Sequence, residues 1–155
     1  MKKNTLIAFT LISSFCFVSS NKEDEITIQS KDELIGKWNL NLLDIEISVD
    51  GNVIEDQKDI DVSGALTMQF DFKQDQTVHF YQYVPATTED EAQEYNGYGT
   101  YVKNGSDLIV TIDNEPQTFE IVLNDASNLH LNLEVTEEVQ GMQVEQNSTF
   151  KMVKM

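Results

Sequence analysis

From Lys37 to the C-terminus, apolar residues recur at every second position, in short runs separated by turn-forming clusters. That period belongs to half-buried strands. Trp38, Leu40 and Leu42 fall on one face, and Leu43, Ile45, Ile47 and Val49 continue on the other parity. The slip at Leu42-Leu43 predicts a bulge or bend. Alternation is clearest at Leu66, Met68, Phe70 and Phe72, read as inward, against Thr67, Gln69, Asp71 and Lys73, read as outward. Gln74-Asp75-Gln76 turns the chain and Thr77 to Val84 returns. Further strands are expected over Gly97 to Lys103, Leu108 to Ile112, Phe119 to Leu123 and Leu129 to Val135. The last strand carries Val144, Phe150 and Met152 on one parity. Asn104-Gly105-Ser106, Asn114-Glu115-Pro116 and Asn124-Asp125-Ala126-Ser127 supply the intervening turns.

None of these connections holds a crossover helix, and parallel pairing needs a crossover of about a dozen residues. The sheet is therefore antiparallel and mainly a meander. Such a meander of about eight half-buried strands leaves two exposed edges unless it closes. The expected fold class is all-β: a single antiparallel up-and-down barrel of about eight strands, wide enough for side chains or one small ligand. A two-sheet sandwich is the alternative. Asp50-Gly51 is a tight-turn signal. Residues 53–64 are acidic and poorly patterned, with at most a short strand near Val53-Ile54. Pro85 to Glu94 is a long acidic loop carrying Glu89, Asp90 and Glu91. Ahead of the first strand, Ser30-Lys31-Asp32-Glu33 has capping-box spacing and Gly36 can close the turn with a left-handed residue, which predicts a short N-terminal helical turn.

The N-terminus reads as a targeting segment. Lys2 and Lys3 precede an apolar run from Leu6 to Val18, and Val18-Ser19-Ser20 offers a signal-peptidase site. The run is shorter than the ~20 residues that span a bilayer. The expected organisation is a signal peptide over 1–20, a flexible acidic tether over 21–30 and one barrel domain over 31–155. Cys16 is the only cysteine, so the mature chain has no disulfide or thiol chemistry. The 27 acidic residues against 10 lysines give a net charge of −17, and there is no arginine. Phosphate recognition leans on arginine forks and basic patches, so nucleic acid is excluded as a partner. The acidity itself favours solubility outside the cell.

Three segments resemble the lipocalin-like domains common in Bacteroidetes envelope proteins. Leu34-Ile35-Gly36-Lys37-Trp38 is similar to that family's opening Gly-x-Trp. Phe70 to Val78 resembles its strand–Asp-Gly-Thr–strand hairpin, with Gln76 where glycine is usual. Gly99-Thr100-Tyr101-Val102 followed by Asn104-Gly105 and Leu108-Ile109-Val110 resembles its Gly-Thr-Tyr strand and turn. The resemblance implies a cup for a small apolar ligand, with Gly36 and Trp38 as structural residues at its closed end. It also implies a basic residue near the last strand over the tryptophan, a place open to Lys151 or Lys154. Phe17 to Glu25 resembles the signal end of that family's lipoproteins, with Ser20 where the lipidated cysteine would stand. An extracytoplasmic, secreted, periplasmic or envelope-associated protein is expected, with lipidation at Cys16 and simple secretion both open.

No constellation for catalysis, phosphate binding or a cofactor is present in the sequence, so no enzyme activity and no cofactor are expected. His79 and His130 lie on parities opposite their apolar neighbours and should face outward. Asp59-Ile60-Asp61 and Glu89-Asp90-Glu91 carry oxygen ligands without the spacing of a calcium loop, so no metal site is expected. The candidate ligand-binding residues are the barrel lining: Met68, Phe70, Phe72, Phe80, Tyr101, Phe119, Ile121 and Leu131, with Phe72 taken as nearest the open end. Tyr81, Tyr83 or Tyr101 could add a phenolic hydrogen bond where one points inward. Two functions stay open. One is a monomeric module binding a small apolar or amphipathic molecule in a hollow barrel. The other is an interaction or inhibitor module with a filled barrel, whose acidic loops meet an unknown protein.

Overall fold

A computed structural model describes residues 33–88 and 90–155. The expected signal peptide, the tether, Ser30 of the capping box and Glu89 lie outside the described residues. The strands are β1 (Gly36–Val49), β2 (Asn52–Asp61), β3 (Thr67–Phe72), β4 (Thr77–Val84), β5 (Gln93–Asn104), β6 (Asp107–Ile112), β7 (Glu115–Asn124), β8 (Asn128–Val139) and β9 (Met142–Lys154). From β3 to β9 each strand pairs antiparallel with the next. β9 returns to pair with β1 from Trp38↔Lys154 to Val49↔Val144, which closes the barrel.

The other edge of β1 is shared. Its first residues pair with β3, from Gly36↔Phe72 to Asn39↔Gln69, and its remainder with β2, from Leu42↔Asp61 to Val49↔Asn52. β2 and β3 are thus one barrel strand broken by the turn at 62–66, and the closed structure is an eight-stranded antiparallel barrel. The ten-residue β2 corrects the expectation of at most a short strand near Val53-Ile54. Almost every β2 residue is exposed, so no face of it alternates in hydrophobicity. Its ladder to β1 and a charged tie hold it instead. Lys151 Nζ lies 2.6 Å from Asp59 and 2.9 Å from Asp44, while the Asp59 amide donates to Asp44 Oδ1 at 2.7 Å. Burial would push the Asp44 carboxyl up, but the Asp59 amide and Lys151 outweigh it and hold it below the usual carboxylate range.

The phase slip in β1 is a bulge: Leu40 faces Met152, while Leu42 faces Lys151. This lets Trp38, Leu40, Leu43, Ile45 and Ile47 all be buried despite their change of parity. In place of the expected helical turn, Glu33 and Leu34 form a plain turn, and no helix occurs among the described residues. Two strand starts also differ from expectation. β5 begins at Gln93 rather than Gly97, and β7 at Glu115 rather than Phe119. Both extensions are polar segments that become strand by pairing, with Val84↔Gln93 and Ile112↔Glu115 as terminal partners.

The end where β1 begins is sealed. Trp38 and Leu34 are fully buried, and the indole Nε1–H donates to the Leu34 carbonyl at 2.7 Å. Lys154 Nζ stands 4.8 Å from the Trp38 ring centroid and donates to the Glu33 carbonyl at 3.3 Å. Gly36 is required there. Its φ is +135°, and a Cβ on it would meet Lys154 Cε at 2.7 Å.

Candidate functional site

The opposite end, at the 50–51, 85–92, 113–114 and 140–141 connections, holds a cavity of about 430 Å³. That volume falls in the range of small-molecule sites, roughly 300–1,000 Å³. Its walls come from β3 to β7, and the parity of each strand explains which side chains reach it. β3 contributes Phe70 at the floor. β4 contributes Phe80, Gln82 and Val84, alternate residues of one face. β6 contributes Val110 and Ile112, and β7 contributes Glu115, Gln117 and Phe119, again alternating. β5 supplies Gln93 and Tyr95, with Glu94 at the rim and Asp113 from the β6–β7 turn.

The floor is an aromatic cluster. Phe70 stacks on Phe72 with centroids 5.4 Å apart, meets Phe80 at 4.9 Å and takes Phe119 edge-on at 6.0 Å. Below it Phe72 meets Tyr101 at 5.0 Å, and the Tyr101 hydroxyl donates to the Lys73 carbonyl at 2.8 Å. Phe70 therefore bounds the cavity: rings pack below it, and space is left above it along β4 to β7, while Met68, Ile45 and Ile47 are buried on the other side of the barrel.

Tyr95 links floor to rim. Its ring lies 5.9 Å from Phe80, and its hydroxyl donates to Asp113 Oδ2 at 2.6 Å. Burial first, then the hydrogen bond and charge of Asp113 and the charge of Glu115, push the phenol up to about 12. It is a fixed donor at any physiological pH. Gly97 makes room for this arrangement, since a Cβ there would fall 2.5 Å from Ile112 Cγ2 and 2.9 Å from the Tyr95 ring. Asp113 (φ 53°) and Asn114 (φ 67°) form the two-residue turn that aims the carboxylate.

Of the residues expected to line a ligand site, Phe70, Phe80 and Phe119 meet at this cavity. Met68, Phe72, Tyr101 and Leu131 are buried elsewhere in the core and do not line it. Ile121 is half-buried opposite Leu131, away from the cavity. Phe72 lies at the sealed end, not the open one, because its register partner is Gly36. Tyr81 and Tyr83 alternate with Phe80 and Gln82 and so take the outer face. The phenol at the cavity is Tyr95, which falls between the acidic loop expected to end at Glu94 and the strand expected from Gly97. Its signal was available: Gln93 and Tyr95 share the parity of Gly97 and Tyr101, and Glu115 and Gln117 share that of Phe119. Polar residues at inward positions mark a wall rather than a solid core.

His79 stacks on Tyr98 on the outer surface, with ring centroids 4.4 Å apart, and its Nε2 lies 2.8 Å from Asn96 Oδ1. His130 is also away from the cavity, its pKa held below the usual value by burial and then by Lys151. Among the described residues no three His, Cys, Asp or Glu side chains gather as a metal site, and no helix is long and apolar enough to cross a membrane.

No protein-family model matches the chain, and no curated protein matches it in sequence. Similar solved structures include a lipocalin-like protein from Bacteroides uniformis, at 14% identity over 79% of this chain and 99% of that one, with a TM-score of 0.43. An uncharacterised protein from Bacteroides eggerthii is 15% identical over 78% of this chain and 98% of that one, with a TM-score of 0.41. Bovine odorant binding protein, in complex with a selenium-containing odorant, is 19% identical over 86% of this chain and 78% of that one, with a TM-score of 0.43. At these scores the barrel assignment rests on the strand pairings themselves.

Proposed function

We propose that this chain is a non-enzymatic binding module that holds one small apolar or amphipathic molecule in the cavity at the open end of its barrel. The single observation behind this reading is the cavity of about 430 Å³ above Phe70, with an aromatic floor and a polar rim. Pockets of this kind hold a ligand by apolar contact and orient it with a few polar groups. Phe70, Phe80 and Phe119 supply the contact, and Gln82, Gln117 and Tyr95 supply the polar groups. An extracytoplasmic address belongs to the same reading and rests on Lys2-Lys3 and the apolar run that follows. Mass spectrometry of the exported protein checks it, with Asn21 expected as the first residue and no lipid on Cys16.

Calorimetric titration with decanol tests the cavity. Saturable binding with one site per chain is expected, and Val110→Phe, which fills space above the floor, should weaken it at least tenfold while the protein stays folded. Absence of saturable binding by the wild type, for decanol and for charged amphiphiles with the same tail alike, would retire the ligand reading and return the function to an interaction module with acidic loops.

A further inference from the structure

The rim of the cavity carries charge of one sign. Glu94, Asp113 and Glu115 line it, and none of the lysines at 37, 58, 73, 103, 151 and 154 does. The 85–92 connection at the same end adds Asp90 and Glu91. Asp113 is held in place, tied to Tyr95 at 2.6 Å and fixed by the tight turn. Beneath the carboxylates lie the rings of Tyr95, Phe80 and Phe119, whose faces attract a cation. A carboxylate-headed amphiphile seated tail-first would place its charge among three others of the same sign. An ammonium-headed one would meet carboxylates and aromatic faces at once.

We infer that the cavity selects amphiphiles with a cationic amine or quaternary ammonium head, tail on the Phe70 floor and head between Glu94, Asp113 and Glu115. The inference rests on the ligand reading above and specifies its chemical class. Opposite charges at contact distance near a surface interact strongly at low salt and weaken as salt screens them.

The test compares three ligands with one tail: decyltrimethylammonium, decanol and decanoate, each below its micelle concentration, by calorimetry on the full mature chain. At low salt the ammonium is expected to bind at least about tenfold more tightly than decanoate, with decanol between them. The spread should contract at 0.5 M salt, roughly, where the Debye length is short. In the Asp113→Asn/Glu115→Gln double variant, the ratio of ammonium to decanol affinity should fall several-fold. Asparagine at 113 keeps the acceptor for Tyr95 and tolerates the left-handed turn, so the fold is retained. Equal affinities, or a preference for decanoate, would overturn the cationic assignment and leave the cavity reading standing. A ratio unchanged in the double variant would overturn it too. Binding by none of the three would end both.

Discussion

The two ends of this barrel obey the same alternation and do opposite things with it. At the sealed end the inward positions carry Trp38, Phe72 and Met152, all fully buried, and the indole N–H has its acceptor in the Leu34 carbonyl. At the open end the inward positions carry Gln82, Gln93, Tyr95, Glu115 and Gln117 around a cavity. Inward-facing residues are therefore not one class. Large apolar side chains interlock at the sealed end, whereas polar ones line the mouth beside Val84, Val110 and Ile112. Between them the Phe70 ring is the boundary, stacked on Phe72 below and bare to the cavity above.

The sharpest way to break this contrast is to truncate one aromatic at each end. Trp38→Ala should cost about 3–5 kcal/mol, because it opens a hole in a close-packed region and removes the indole hydrogen bond to the Leu34 carbonyl. Phe80→Ala should cost less, about 1–3 kcal/mol, because one side of that ring already faces space. Urea denaturation of both variants reads the difference, and equal losses would mean that the mouth is packed as tightly as the base.

The seal can be sharpened by separating backbone from charge. Gly36→Ala combines an unfavourable φ with a contact on Lys154 Cε, and should cost about 1–3 kcal/mol. Lys154→Met keeps the aliphatic stem over Trp38 and removes the cation, so its cost should be about 0.5–1 kcal/mol. A larger loss for Lys154→Met than for Gly36→Ala would make the charge, not the backbone, the lock.

The smallest effect concerns Tyr95. Its folded pKa is raised from the ordinary 10.0 to about 12, so the stability it contributes is fully present below pH 10 and is lost as pH rises toward about 12. No change is expected around neutrality. Ultraviolet titration of phenolate absorbance, wild type against Tyr95→Phe, should show one tyrosine ionising late. Asp113→Asn should bring that tyrosine down by removing the adjacent charge. Absence of a late-ionising tyrosine from the wild type would remove the link between floor and rim.

Parity was enough to identify the inward faces of β3 and β6, and the β1 slip announced its bulge. It also separates the two lysines offered for the tryptophan. Lys154 shares the parity of Phe150 and Met152 and arrives opposite Trp38, whereas Lys151 has the other parity and goes outward to Asp44 and Asp59. Those features were legible because each depends only on the period along one strand.

What the sequence by itself determined is the all-β antiparallel meander and the aromatic stripe, since alternation and short turns act locally, while closure in place of a two-sheet sandwich came from the β1–β9 ladder. Only the tertiary structure decided where the stripe stops being core. β2 and the first residues of β5 and β7 are polar, so they become strand through hydrogen bonds to the adjoining strand, such as Gln82↔Tyr95 and Val110↔Gln117, and not through their own pattern. Whether Phe72 or Tyr95 sits at the mouth depends likewise on register with Gly36 and Gln82. A strand's own residues state which side faces in. How deep each lies, and whether another side chain meets it there, is set by the strands beside it.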